Sequence, residues 1–144
     1  PGKRFLKSIL EMKYLLDTNI LVSGFLWEGK ERMLLNLIKK GKINIVISQY
    51  VLDELARVLS RLGHEDKVND VLTLISRVAE IIDVTIAESS ACINDVSDEK
   101  DAPVLAACIK SGAVLVTGDM QFAKDSSRFV TVLRTSELLR SLDY

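Results

Sequence analysis

The chain has 144 residues, 48% of them hydrophobic and 27% charged, with a formal net charge of −1. This length suits one domain with a substantial core, and the balance excludes both a disordered polyelectrolyte and a protein that coats nucleic acid by bulk positive charge. No apolar run approaches the roughly 18 residues of a membrane-spanning helix.

Residues 1–11, PGKRFLKSILE, precede MKYLLDTN. They lack the sustained apolar run and small-residue cleavage site of a signal peptide. They read as an N-terminal extension, with Met12 as the initiator of one domain over 12–144. Cys92 and Cys108 are widely separated and form no CxxC pair, the pattern of reduced thiols in a cytoplasmic protein.

KYLLD (13–17) predicts the first strand, which leaves the core on Asp17, Thr18 and Asn19. All three residue types cap helices well. A strand end is also where α/β proteins display their chemistry. Residues 19–26 and 29–40 read as helices, the second with Leu34, Leu37 and Ile38 on its apolar face and Gly41 as its stop. INIVIS (43–48) is a β-branched second strand, and Ser48 caps a helix in which Val51, Leu55, Val58 and Leu62 keep helical spacing. A helix over about 65–79 and a third strand, IIDVTI (81–86), follow. The acidic stretch NDVSDEKDAP (94–103) leads into a helix rich in small residues that Gly112 ends. AVLVTGD (113–119) and RFVTVL (128–133) read as strands four and five, and TSELLRSL (135–142) as a closing helix. This alternation predicts the α/β class, with a mostly parallel sheet of about five strands covered by helices.

In such a sheet, strand carboxyl ends and helix amino ends share one edge. Asp17 ends the first strand, Asp119 follows the fourth, Asp101 begins the helix before it, and Glu54 lies early in the helix after the second. Taken singly, each has an ordinary explanation as a cap, a turn residue or a solvated helix position. Together they bring four carboxylates to one edge from four separate segments, where they repel unless a cation offsets them. Oxygen-only donors suit Mg²⁺ or Mn²⁺ rather than Zn²⁺. The chemistry that follows is metal-activated attack of water on a phosphodiester.

His64, after Gly63, reads as a surface residue in a helix connection. Lys39, Lys40 and Lys42 complement a helix end, with an RNA contact as the alternative. Arg57 and Arg61 share a helical face and are candidates, with Lys42, for contacting nucleic-acid phosphates. Phe25, Trp27 and Tyr50 read as core or interface packing before base stacking. No glycine-rich phosphate loop is present, because TGD is short and has no accompanying lysine.

In order and spacing, LLDTNILVSGF, ISQYVLDELARVL with Glu54, and DAPVLAACIKSGAVLVTGD with Asp101 and Asp119 resemble the PIN domain. The likeness is to the prokaryotic PIN proteins that include VapC-type toxins, and it covers about residues 12–135. The resemblance implies a PIN-like three-layer fold with helices on both faces of a central parallel sheet. It implies a metal-dependent endoribonuclease, often a homodimer, with an RNA substrate and a small antitoxin as partner. Asp17, Glu54, Asp101 and Asp119 would form the Mg²⁺ or Mn²⁺ centre, with Asn19 and Thr117 orienting carboxylates or water. Asp98, three residues before Asp101, is the alternative ligand at that place and otherwise a supporting residue, with Asp95 the weaker alternative. Two rival readings stay open: a housekeeping RNA-processing or decay nuclease, and a catalytically silent PIN domain acting as a binding module. Retention of four mutually repelling acids argues against the last.

Overall fold

The computed structural model describes residues 11–144, so the extension expected at 1–11 lies outside the described residues except for Glu11. The chain runs β1 (Lys13–Leu16), α1 (Thr18–Leu26), α2 (Lys30–Lys39), β2 (Asn44–Ser48), α3 (Gln49–Arg61), α4 (Val68–Val78) and β3 (Ala79–Ile82). It continues through α5 (Ile86–Ala91), α6 (Ala102–Ser111), β4 (Val114–Val116), α7 (Met120–Ser126), β5 (Val132–Leu133) and α8 (Thr135–Ser141).

The strands form one parallel sheet in the order β3-β2-β1-β4-β5. Tyr14, Leu15 and Leu16 of β1 are all buried, as are Ile45, Val46 and Ile47 of β2 and Val114, Leu115 and Val116 of β4. Successive side chains on a strand point to opposite faces, so burial of consecutive residues means that helices cover both. The fold is the three-layer α/β arrangement expected from the sequence. α1 packs on α2 and α3, while α6 packs on α3, α5 and β2. Gly24 permits the α1–α2 contact, because a Cβ there would stand 3.1 Å from the Glu31 carbonyl oxygen.

The strand order places a switch between β1 and β4. From β1 the chain winds outward through β2 and β3, then crosses back to the other side for β4 and β5. Crevices open at such switch points beyond the carboxyl ends of the strands.

Several expected elements differ. The third strand lies at 79–82 rather than 81–86, and Ile86 instead opens α5. Thr85 takes an extended backbone, and its hydroxyl and the Glu88 carboxylate form a reciprocal capping box. Those two local bonds override the β-branched run at this point. The fourth strand is only Val114–Val116, because Asp119 is the N-cap of α7, a helix not expected from the sequence. The fifth strand shortens to Val132–Leu133.

Candidate active site

Each strand delivers its following residues to the same edge, and the chain spends them on polar work. Asp17 is the N-cap of α1, and its Oδ1 accepts from the Thr18 backbone N–H at 2.8 Å. Its Oδ2 accepts from the Thr117 hydroxyl at 2.8 Å, and its own N–H donates to the Val116 carbonyl at 3.0 Å. Capping and display at the strand end are therefore one arrangement at this residue. Thr18, expected as a cap, is instead the first residue of α1, and its hydroxyl donates to Glu54 Oε1 on α3.

Thr117 is 1% exposed and also accepts from the Asp119 N–H at 3.1 Å. Asp119 Oδ1 in turn accepts from the Gln121 and Phe122 N–H groups at 3.0 and 3.1 Å, starting α7. Asp98 Oδ1 accepts from the Lys100 N–H at 3.0 Å, and its carbonyl accepts from the Asp101 N–H at 2.9 Å. These bonds form a single 3-10 turn, Glu99–Asp101, that delivers Asp101 to the start of α6.

The four carboxylates line one cleft of about 230 Å³, together with Asn19, Asp98, Arg61 and Lys100. Val58 and Val104 contribute to its walls. Burial raises the Asp17 carboxyl above its ordinary pKa, against the opposing Thr117 and Thr18 hydrogen bonds, with the Glu54 and Asp119 charges adding to the rise. Asp101 is pushed up to about 7, first by burial and then by the charges of Asp17, Asp98, Asp119 and Glu54. A cleft that raises its own carboxylates in this way favours a cation.

Among the described residues, no three His, Cys, Asp or Glu side chains stand close enough to enclose a metal ion by themselves. Mg²⁺ does not need such a cage, since it keeps several waters and is held by one or two carboxylates with phosphate oxygens completing the shell. Hard, all-oxygen donors around a cleft with uncompensated negative charge fit a hydrated Mg²⁺ or Mn²⁺ ion.

Of the other candidates, Thr117 lies beneath the cleft, bridging Asp17 and Asp119. Arg61 lines the cleft, while Arg57, one turn earlier on α3, is exposed and not among its lining residues. Lys42 precedes β2 and so belongs to the opposite edge of the sheet. His64 and Asp95 are not among the lining residues either. Burial raises the Tyr50 phenol, with smaller contributions from the charges of Glu54, Asp101 and Asp98 against that of Arg57, and the residue is not among those lining the cleft. Phe25 lines a separate apolar groove with Leu26, Leu59 and Val71, and Trp27 is 55% exposed. Lys100 was not a sequence candidate; the available signal was that it is the single cation within residues 94–103.

A family model described as PIN domain matches residues 13–121. No curated protein matches the chain significantly. Among solved structures, the chain is similar to VapBC2 from Rickettsia felis bound to a promoter DNA fragment. The identity is 22% and the TM-score 0.67, with 85% of this chain and 98% of that chain covered. It is also similar to PAE2754 from Pyrobaculum aerophilum, at 16% identity and TM-score 0.69 over 94% and 99% of the two chains. A toxin–antitoxin complex from Klebsiella pneumoniae aligns at 21% identity and TM-score 0.64, over 85% and 97%.

Proposed function

Because the chain belongs to the PIN domain family, we propose that its acidic cleft is the active site of a Mg²⁺- or Mn²⁺-dependent endoribonuclease, the toxin of a toxin–antitoxin pair. The observation that carries this reading is the meeting in one cleft of Asp17, Glu54, Asp101 and Asp119, supplied by four separate segments. One or two of these carboxylates would bind a hydrated ion directly, and the others would meet it through its waters. When bound, it would lower the pKa of a water and offset charge developing on the scissile phosphate.

The chain's own residues do the positioning. Thr117 and the Thr18 N–H hold both oxygens of Asp17, and the Thr18 hydroxyl holds Glu54 from the neighbouring helix. Asn19 is exposed and lines the cleft, and we assign its amide to a water or a phosphate oxygen. Arg61 and Lys100 supply positive charge on a lining otherwise dominated by carboxylates, and we assign them the flanking phosphates of the RNA.

The similar Klebsiella pneumoniae structure is of a toxin–antitoxin complex, which supports a small antitoxin as partner. The proposed setting is a cytoplasmic homodimer built from one domain over 12–144. No described helix is long and apolar enough to cross a membrane.

The direct test is RNA cleavage with Mn²⁺ and with EDTA, comparing wild type with Asp17→Asn. Cleavage is expected only for the wild type with the ion. Normal cleavage by the mutant or in EDTA would overturn the mechanism. Calorimetric titration with Mn²⁺ separates the enzyme from a silent binding module, which would bind little of it.

A further inference from the structure

We propose that Asp125 is a positioning residue, which from α7 holds the backbone at Ser97 and thereby sets Asp98 and Asp101 against Asp17 and Asp119. The inference rests on the metal-dependent reading above and deepens it.

Between the end of α5 at Ala91 and the turn at Glu99 the chain has no helix or strand. Ordering such a connection costs roughly 1–2 kcal/mol per residue in backbone entropy, and its local turn bonds, the last from the Asp95 N–H to the Cys92 carbonyl, stop short of Ser97. The Ser97 N–H donates to Asp125 Oδ2 at 2.7 Å, across 28 positions of sequence. A carboxylate acceptor makes this one of the stronger kinds of hydrogen bond. The second oxygen, Oδ1, accepts from the Gln121 side-chain amide at 2.9 Å, one turn earlier on α7, which locks the carboxylate's orientation. The Gln121 backbone N–H is itself bound to Asp119 Oδ1. A short run of bonds therefore leads from Asp119 through Gln121 and Asp125 to Ser97. Asp98 is the next residue, and its own two bonds build the turn that carries Asp101.

Arg128, just past α7, adds a second and longer tie, with Nη2 3.5 Å from the Asp95 carbonyl oxygen. Both ties grip backbone atoms of the connection, the Ser97 side chain adds a bond of its own to Asp125, and the Asp98 carboxylate is left to its own turn. α7 thus acts as a gauge. It begins on one cleft carboxylate, Asp119, and ends by fixing the spacing to two others, Asp98 and Asp101, encoded 21 and 18 residues before it.

The test is calorimetric Mn²⁺ binding and thermal melting of wild type, Asp125→Ala and Asp125→Asn, with RNA cleavage across a Mn²⁺ titration. Residues that orient metal ligands typically contribute 10–100-fold in affinity or activity, and a loss of about that size is expected for Asp125→Ala. Asp125→Asn keeps an oxygen for the Ser97 N–H, and Gln121 can turn its own amide to meet the new one, so most of the affinity is expected to return. Gln121→Ala, which frees one carboxylate oxygen and spares the Ser97 bond, is expected to give a smaller loss of the same sign. It also serves as the second variant if Asp125→Ala does not fold.

Unchanged Mn²⁺ affinity in Asp125→Ala, with or without a lower melting temperature, would reduce the residue to a loop anchor and overturn the inference alone. A wild type that neither binds Mn²⁺ nor cleaves RNA overturns this inference and the proposed function together.

Discussion

The Thr117 hydroxyl donates to Asp17 Oδ2 at 2.8 Å, although the two residues are 100 positions apart. They meet because β1 and β4 are adjacent and parallel, with Leu16 opposite Val116, so the next residue on each strand falls into register. The same hydroxyl accepts from the Asp119 N–H, which ties two cleft acids to one buried oxygen.

Thr117→Val keeps the shape of the side chain and removes both bonds. It leaves a buried carboxylate oxygen short of a partner, a defect that costs about 1–3 kcal/mol. Thermal or urea unfolding is expected to show that loss. Apparent Mn²⁺ affinity is expected to fall about 10–100-fold, as for other residues that orient metal ligands. Thr117→Ser, which retains the hydroxyl, should recover the affinity; failure to recover would argue that packing of the methyl group matters instead.

The cleft makes the metal-free protein sensitive to pH in a defined direction. Asp101 titrates near 7 in the folded protein, raised by burial first and by its acidic neighbours second. The unfolded chain has the ordinary carboxylate value of about 4, so between about pH 4 and 7 the folded state binds a proton that the unfolded state does not. Stability from this group is therefore greatest at the acid end and is lost as pH rises through that window. In EDTA, the melting temperature is expected to be lower at about pH 8 than at about pH 5.5, and Asp101→Asn should flatten the difference. Mn²⁺ should raise the melting temperature more at the higher pH, where it displaces no proton. An Asp101→Asn protein with the wild-type pH dependence would contradict the assignment.

Arg61 and Lys100 line the cleft, whereas Lys42 stands at the opposite edge of the sheet. If the first two neutralise phosphates of single-stranded RNA, each alanine substitution should make the log–log salt slope of binding shallower by about 0.7. Lys42→Ala should leave the slope as it is. Fluorescence anisotropy with an uncleavable RNA across a salt series measures this, and equal slopes for all three variants would remove the assignment.

α7 is anchored by Phe122, which is fully buried and whose N–H is bound to Asp119. Phe122→Ala is expected to cost about 3–5 kcal/mol of stability. A substitution that left stability within about 1 kcal/mol of wild type would mean that the helix repacks around the lost ring.

Much of this architecture was legible in the chain. The β-branched run INIVIS and the apolar run KYLL needed no tertiary information, because strands buried on both faces are continuously apolar. α5 and α7 were not read. Thr85 and Glu88 carried a capping signature, but Thr85 lay inside Ile81–Ile86, whose β-branched composition suggested a strand. Asp119 looked like a turn residue because an N-cap is recognised by the helix it starts, and MQFAKDS has only one apolar anchor that is buried, Phe122.

The sequence by itself determined which edge of the molecule carries the acids. Alternating strands and helices of these lengths build a parallel sheet, and a parallel sheet sends every strand's carboxyl end to one side, whatever the strand order. Only the tertiary structure decided which groups hold those acids in place. Thr117 on Asp17, Thr18 on Glu54 and Asp125 on Ser97 depend on strand order, register and the angle of a neighbouring helix. Those quantities are set by packing between distant segments, and no local pattern in the chain records them.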